Sequence, residues 1–332
     1  MNVTTELWLI TVGLILGLLL FDLLTSTRKA HDVSFKEATF WSIFYIAVAI
    51  IFGAWVWGEF GDQYGKEYFA AYIVEKSLSM DNLFVFLIIL TNFAVPSIYH
   101  QRVLMVGIVL ALIMRAIFIA LGAAALEAFS FTFVIFGAIL LWTGIKLFQH
   151  WDEDPDPVNN PIVKFAQKRI PFTNEYHGGK IFIKENGKRI ATPLLLVMLA
   201  IGATDLLFAL DSIPATFGVT QEAFLVFAAN AFALLGLRAL YFLIKNLVNK
   251  LIYLSMGLSF ILIFIGFKLF LVWGYETFDN VPKISTNWSL IVIGSILLIS
   301  TVASLIKSKQ DPTAKAHAGR MSDPKKEKKE EK

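Results

Sequence analysis

The chain has 332 residues, of which 57% are hydrophobic and 17% charged; its formal net charge is +3 and its mean hydropathy is +0.66. Soluble domains carry about 45–50% apolar and about 25% charged residues, so this composition excludes a disordered chain, a nucleic-acid-binding module and an ordinary cytosolic enzyme. The absence of cysteine also excludes disulfides, thiolate metal sites and cysteine nucleophiles. The composition is that of an integral membrane protein.

Apolar runs long enough to cross a membrane recur along the whole chain. A bilayer core needs about 20 apolar residues per helix. Nine runs approach that length: 6–25, 38–57, 68–91, 102–126, 129–149, 192–217, 222–246, 253–274 and 286–306. We therefore predict an all-α polytopic membrane protein with about nine transmembrane helices, surrounded by the lipid bilayer.

The runs and the polar segments between them divide the chain into six parts. These are an N-terminal two-helix extension (1–67), a first three-helix repeat (68–149), a cytoplasmic loop (150–191), a second three-helix repeat (192–274), a C-terminal transmembrane helix (275–307) and a Lys/Glu-rich tail (308–332). Within the loop, apolar and polar residues alternate around Asn186-Gly187, which predicts a β-hairpin. The tail lacks aromatic residues and is predicted to be disordered.

Lysine and arginine are unevenly distributed over these parts. Seven lie in 150–191 and nine follow residue 306. If the N-terminus lies outside the cell, only Lys66 and Lys283 fall in external segments. Cytoplasmic segments of membrane proteins carry the excess of basic residues, so we predict a periplasmic N-terminus and a cytoplasmic C-terminus.

The two three-helix units share motifs in the same order, which indicates an internal repeat. The shared features are an acid-x5-acid motif (Glu75 to Asp81, and Asp205 to Asp211), an arginine (Arg115 and Arg238) and a Gly-x-Lys-Leu-Phe motif (from Gly144 and from Gly266). Because each unit holds three helices, an odd number, adjacent copies would have opposite orientations. Inverted repeats are typical of secondary transporters, whose substrate sites lie near the midplane between the halves.

The four acids of the repeated motif lie well inside predicted membrane spans, where a charge costs about 2.5–3.5 kcal/mol. Residues six apart on one helix differ by about 240° and about 9 Å, so a straight helix cannot direct both of its acids at a single ion. Two arrangements stay open: a chain of sites, or locally unwound helices. Pro214 favours unwinding because it leaves the Leu210 carbonyl without its helical donor. Asn82 and Ser212 add neutral oxygens directly after the second acids.

Other charged groups near the spans have distinct predicted roles. Arg115 and Arg238 lie near mid-span and are candidate charge-balancing partners for the acids. Asp22 lies near the cytosolic end of the first span, where we interpret it as interfacial. Oxygen ligands without cysteine suit hard divalent cations such as Mg²⁺, Ca²⁺ or Mn²⁺.

Two stretches, Glu75–Phe86 and Thr204–Ala215, resemble the signatures of the TerC/Alx family. The similarity extends through Gly236–Phe242 and the Glu175-Tyr-His-Gly loop, and covers about residues 5–280. That family is similar to the LysE-type transporters and is associated with bacterial manganese export and with tellurite-resistance loci. The resemblance implies Mn(II) as substrate in a bacterial inner membrane. By motif position it marks these candidate metal ligands: Glu75, Asp81, Asn82, Asp205, Asp211 and Ser212.

The function predicted from these features is export of Mn(II) in exchange for protons through paired intramembrane carboxylates, without enzymatic activity, resident cofactor or nucleic-acid partner. Buried carboxylates can release protons as a metal binds. One alternative is an intramembrane aspartyl or metal-dependent hydrolase, although the chain has no Gly-x-Gly-Asp motif and no histidine within a span. Another is a non-transporting partner, linked to tellurite resistance, that helps insert or metallate other membrane proteins.

Overall fold

A computed structural model describes residues 1, 3–27, 33–153, 160–173, 175–185, 188–244, 251–278, 281–282, 284–311 and 317. Within these residues the chain forms helices and one two-stranded sheet. The helices are α1 (Thr5–Thr27), α2 (Phe35–Phe60), α3 (Asp62–Asn92), α4 (Ser97–Ala128), α5 (Thr132–Gln149), α6 (Pro161–Arg169), α7 (Pro193–Phe217), α8 (Ala223–Leu235), α9 (Leu237–Ile244), α10 (Leu254–Thr277) and α11 (Thr286–Gln310). The strands are β1 (Phe182–Glu185) and β2 (Lys188–Ala191).

Seven of the described helices are long and apolar enough to cross a membrane: α1, α2, α4, α5, α7, α10 and α11. Helices α8 and α9 add an eighth crossing if the two form one bent span. The remaining predicted run, 68–91, corresponds to α3, which is 31 residues long but carries three charged residues, Glu75, Lys76 and Asp81, within that run. The all-helical architecture is therefore as predicted. Among the described residues, seven or eight segments are long and apolar enough to cross a membrane, whereas nine were predicted.

Helix α3 lies in the interior of the bundle in spite of its polar residues. It packs against α2, α7 and α8, and most of its residues from Tyr68 to Leu90 are buried. Helix α8 is more apolar and is buried on all sides from Phe224 to Leu235, except at Phe227. The two helices pack together. The buried polar side chains of α3 therefore meet other helices.

Helices α5 and α10 cross with their backbones in close contact. A methyl group added at Gly266 would lie 3.0 Å from the Gly137 carbonyl oxygen, and one added at Gly137 would lie 2.9 Å from the Gly266 oxygen. Glycine allows this approach because it has no Cβ. Around this pair, α4 packs along α7, and α11 packs on the outside against α10 and α3.

Helix continuity differs from the sequence-based expectation at two positions. The run 222–246, predicted as one span, is bent at Gly236, where α8 and α9 meet at 42°. Space there is limited, because a Cβ at Gly236 would lie 3.1 Å from Cβ of Tyr45. Conversely, the unwinding predicted at Pro214 does not occur, since α7 continues through that residue to Phe217. Pro214 removes a single hydrogen bond in the last turn, and the surrounding packing maintains the helix.

The polar segment between α5 and α7 holds a short helix and the two strands. Strands β1 and β2 pair antiparallel, with Glu185 opposite Lys188, where the alternation predicts a hairpin; the turn residues 186 and 187 lie outside the described part of the chain. The Tyr176 hydroxyl donates to the Phe93 carbonyl at 2.5 Å, and partial burial raises the pKa of this tyrosine. The loop is thereby attached to the end of α3.

The C-terminal boundary differs slightly from the prediction. Helix α11 continues to Gln310, so the first residues of the predicted tail, 308–332, are helical. Apart from residues 311 and 317, the rest of that tail lies outside the described residues, and so does its predicted disorder.

Candidate functional site

The four acids of the repeated motif all lie in the interior of the helix bundle. Glu75 and Asp81 come from α3, whereas Asp205 and Asp211 come from α7. None of the four is more than 5% exposed. Helices α3 and α7 are in contact with each other.

Arg115 of α4 organises the first acid of each motif. Its Nη1 donates to Glu75 in a close ion pair and to Asn230 Oδ1 at 2.8 Å. Nη2 of the same guanidinium lies 3.8 Å from Asp205 Oδ1. The Asn230 amide in turn donates to Glu75 Oε2 at 2.9 Å. One arginine thus joins groups from α3, α7 and α8, and its predicted proximity to the acids is seen in these contacts.

Asn82 also faces this arginine. With its amide oxygen turned toward the guanidinium, Asn82 accepts from Arg115 Nη2 at 3.1 Å and donates to the Leu78 carbonyl at 3.1 Å. Two further hydroxyl groups approach Glu75, from Ser79 at 3.4 Å and from Thr216 at 3.5 Å. The region around Arg115 is therefore a connected polar network.

The second acid of each motif has a different environment. Asp81 Oδ1 lies 3.2 Å from the Ser255 hydroxyl of α10, which also lies 2.6 Å from the His317 carbonyl oxygen, and Asp211 Oδ1 accepts from the Thr143 hydroxyl of α5 at 2.8 Å. Among the described residues, neither carboxylate forms an ion pair. The other oxygen of Asp81, Oδ2, is buried without a hydrogen-bond partner in the described structure. These two acids are held by neutral groups, whereas Glu75 and Asp205 face a cation.

The predicted metal ligands therefore fall into two groups. Glu75, Asn82 and Asp205 surround Arg115, whereas Asp81 and Asp211 lie apart from it. Ser212 is buried next to Asp211, with its hydroxyl unpartnered in the described structure. Within the described part of the chain, no three acidic or histidine side chains lie close enough to hold a metal ion by themselves. Of the two arrangements left open by the sequence, local unwinding at Pro214 is not seen, because α7 is continuous there.

Arg238 lies elsewhere, in an ion pair with Asp22 of α1. Its Nη2 and Nε donate to the two Asp22 oxygens at 2.6 and 3.2 Å. Asp22 lies near the C-terminal end of α1, as expected, and its carboxylate is buried within the protein, at 2% exposure. Arg238 was predicted to balance the four acids; the structure instead places it against the N-terminal extension. The reason is the bend at Gly236, after which α9 packs against α2 and lies within reach of α1.

Several polar residues of the site were not predicted from the sequence. They are Asn230, Thr216, Thr143 and Ser255, together with Glu67, which accepts from Thr220 at 2.7 Å and from Gln63 at 3.0 Å. Single hydroxyl and amide groups within apolar runs carry little signal. The exception is Asn230, because a buried amide in the otherwise apolar α8 requires polar partners.

This combination of membrane-length helices around a buried network of acids and arginines defines an integral multi-pass membrane protein with a charged interior. Comparison with known proteins supports this class. An uncharacterized membrane protein of Myxococcus xanthus is 42% identical over 95% of this chain and 97% of its own length. One of Mycobacterium tuberculosis H37Rv is 44% identical over 92% of this chain and 80% of its own.

A third relative, from Photorhabdus laumondii, carries the name "Putative membrane-bound redox modulator Alx" and is 34% identical over 92% of this chain and 97% of its own. No solved structure shows a significant match. The family described as "Integral membrane protein TerC family" matches residues 60–312, which run from the last residue of α2 to just beyond α11. The chain belongs to the TerC family.

Proposed function

We propose that this TerC-family chain is a secondary transporter that exports a divalent cation, Mn(II), in exchange for protons, with Asp81 and Asp211 as the metal ligands. The observation that carries the proposal is the state of these two carboxylates. Both are buried, each lies within hydrogen-bond distance of one hydroxyl group, and neither forms an ion pair among the described residues.

A buried carboxylate without a cation is unfavourable, because desolvation is not offset by an opposite charge. A bound dication or proton removes that penalty. Carboxylate, hydroxyl and water oxygens are the ligands that hard dications accept, and the hydroxyl of Ser212, which has no partner in the described structure, provides a further oxygen beside Asp211. The choice of manganese over magnesium or calcium rests on the resemblance to metal exporters and not on these ligand types.

The contacts between α3 and α7 support an inverted repeat. Glu67 on α3 accepts from Thr220, just after α7, and Glu75 Oε2 lies 3.5 Å from the Thr216 hydroxyl, one turn earlier. Residue numbers therefore rise along α3 as they fall along α7, so the two helices are antiparallel. Because these helices carry the matching acid-x5-acid motifs, the motifs run in opposite directions, as an inverted repeat requires.

The crossing of α5 and α10 gives independent support. In the motif alignment Gly144 corresponds to Gly266, so Gly137 corresponds to Ser259, seven residues earlier in each helix. A Cβ at Gly266 would lie 3.0 Å from the Gly137 oxygen, and a Cβ at Gly144 would lie 3.0 Å from the Ser259 oxygen. Exchanging the two repeats in the alignment converts one of these contacts into the other, as expected if a local two-fold axis relates the repeats. The contacts of the second acids are related in the same way. Asp81 of α3 lies near Ser255 of α10, and Asp211 of α7 lies near Thr143 of α5.

The proton exchange follows from competition at the same oxygens. A carboxylate that binds a metal ion must be deprotonated, so metal arrival releases protons and protonation releases metal. Glu75 and Asp205, both near Arg115, are less suited to bind a dication because a cation already faces them. We assign them to positions that relay or balance charge.

The test is manganese binding and flux by the purified protein. Asp81→Asn and Asp211→Asn retain size and one oxygen but remove the charge that offsets dehydration of the ion. We expect each variant to fold normally yet to lose calorimetric Mn(II) binding and proton-dependent Mn(II) flux in proteoliposomes. Glu59→Gln, an exposed acid at the end of α2, is the matched control and should retain both activities.

Other outcomes would favour the competing functions. Wild-type binding and flux in both Asn variants would place the site elsewhere. Absence of flux from the wild-type protein alone, with manganese binding retained, would favour a partner that metallates other membrane proteins, and cleavage of membrane peptides would favour a hydrolase. The redox role in the name of the Photorhabdus relative cannot use thiol chemistry of this chain, because the chain has no cysteine.

A further inference from the structure

The short helix α6 has an exposed apolar side that the transport proposal does not use. Phe165 is 63% exposed and Ile162 is 44% exposed. The adjoining side of the same helix carries Val163 and Ala166, which are buried. At about 100° per residue, Ile162, Phe165 and Arg169 fall within one narrow stripe beside the buried side.

The position of α6 places this stripe at the membrane boundary. Val163 and Ala166 belong to the same buried cluster as Leu194 and Val197 from the first two turns of α7, and α6 contacts α7. Helix α7 is one of the membrane-length helices, beginning at Pro193. An α-helix with its side chains is about 10–12 Å wide, so the exposed side of α6 lies within one helix width of the end of a membrane span.

The charge of α6 is complementary to anionic lipid. The helix contains no acidic residue, and its last turn carries Lys168 and Arg169. The Arg169 guanidinium lies 5.5 Å above the Phe165 ring centroid, so a cation and an exposed aromatic ring share one spot. Helices that lie in the membrane interface combine apolar residues at the acyl boundary with basic residues at the level of the phosphates.

We infer that α6 is an interfacial anchor: Ile162 and Phe165 insert into the adjacent leaflet, and Arg169 with Lys168 binds the headgroups of anionic phospholipids. In the predicted topology this leaflet is the cytoplasmic one. The anchor holds the polar loop between α5 and α7 against the bilayer. It does not depend on which ion the protein transports.

The absence of cysteine allows a direct test by single labels. Phe165→Cys and Gln167→Cys are both exposed positions, and two residues apart they point about 160° away from each other. In each full-length variant the introduced cysteine carries a nitroxide spin label. The labelled protein is placed in bilayers of phosphatidylcholine with or without phosphatidylglycerol. Collision with lipid-soluble oxygen is compared with collision with a water-soluble nickel chelate.

We expect the label at position 165 to favour oxygen and the label at position 167 to favour the nickel chelate, with a several-fold difference in the ratio. Phosphatidylglycerol should deepen the label at position 165, and adding Arg169→Gln with Lys168→Gln should abolish that deepening. Equal access of both labels to the nickel chelate would show that the stripe faces water, or a protein partner absent from the assay. Equal immersion with and without phosphatidylglycerol would overturn the anionic-lipid assignment.

Discussion

Arg115 is the residue on which the charged interior depends. Its guanidinium contacts Glu75 and Asn230 and faces Asp205, so three neighbouring helices converge on one side chain. A buried ion pair is a weak source of stability, but loss of one partner leaves a buried uncompensated charge. Arg115 is therefore required for stability because the Glu75 carboxylate is buried beside it.

This reasoning predicts that a second substitution should rescue the first. Arg115→Ala leaves Glu75 buried and unpaired, and we expect it to destabilise the fold by about 3–5 kcal/mol. Arg115→Ala with Glu75→Gln removes the charge as well, so the double variant should unfold at a higher temperature than the single one. The unfolding midpoint can be followed through the fluorescence of the eight tryptophans.

A surface ion pair provides the control for this experiment. Lys66 pairs with Asp62 at a position where the Asp62 side chain is 64% exposed, so Lys66→Ala should change stability by less than about 1 kcal/mol. A double Arg115/Glu75 variant no more stable than Arg115→Ala would show that Arg115 acts through packing and not through charge.

The sequence predicts the acids better than it predicts their partners. A carboxylate within a span is rare and costly, so Glu75, Asp81, Asp205 and Asp211 can be identified directly. Hydroxyl groups are ambiguous, because many bond to their own helix, as Thr204 does to the Ala200 carbonyl at 2.7 Å. Nothing in the local sequence separates such a residue from Thr143, which reaches Asp211 from another helix. That distinction arises only from helix packing.

At the scale of elements, helix breaks follow packing more than local propensity. Proline removes a hydrogen bond and predicts a break, yet α7 continues through Pro214 because the missing bond lies in its last turn. Glycine costs a helix only about 1 kcal/mol, yet the break occurs at Gly236, beside Tyr45 and the Lys76 ammonium. That ammonium donates to the Ala233 carbonyl at 3.2 Å, and so satisfies a carbonyl near the end of α8.

The glycine crossing of α5 and α10 makes a prediction about stability. A Cβ at Gly266 would lie 3.0 Å from both the Gly137 oxygen and the Leu141 nitrogen. Both are backbone atoms that cannot move alone, so we expect Gly266→Ala to separate the helices and destabilise the protein by about 1–3 kcal/mol.

Gly294 on α11 is the matched control, because a Cβ there meets nothing within 4 Å. Gly294→Ala should leave the unfolding temperature unchanged or slightly raise it, since alanine favours the helix. The comparison uses the same fluorescence measurement in one detergent or bilayer. An unfolding temperature for Gly266→Ala equal to that of Gly294→Ala would contradict a tight α5–α10 contact.

At the scale of the whole molecule, the N-terminal extension makes the environments of the two repeats unequal. Arg115 and Arg238 hold corresponding positions in the motif alignment, but Arg115 meets the repeat acids while Arg238 meets Asp22 of α1. The family match begins only at residue 60. The M. xanthus relative nevertheless aligns over 95% of this chain, so most of the extension has a counterpart in that protein.

Membrane topology is the property on which the repeat interpretation depends, and this Cys-free chain allows it to be measured. Position 62 is the first residue of α3 and position 160 follows α5, so the three helices α3, α4 and α5 lie between them. Three crossings require the two positions to lie on opposite sides of the membrane. With a periplasmic N-terminus, Asp62→Cys should react with an impermeant maleimide in intact cells, whereas Asn160→Cys should react only after permeabilisation.

Each outcome of this labelling has a distinct consequence. Reversed labelling would invert the molecule and place the seven basic residues of 150–191 outside, against the positive-inside rule. Labelling of both positions from one side would be more damaging, because it implies an even number of crossings between them. The polar helix α3, which is not among the helices long and apolar enough to cross a membrane, would then not cross the bilayer. Two copies of such a unit would lose their opposite orientation, and the antiparallel acids of α3 and α7 would no longer indicate a transporter.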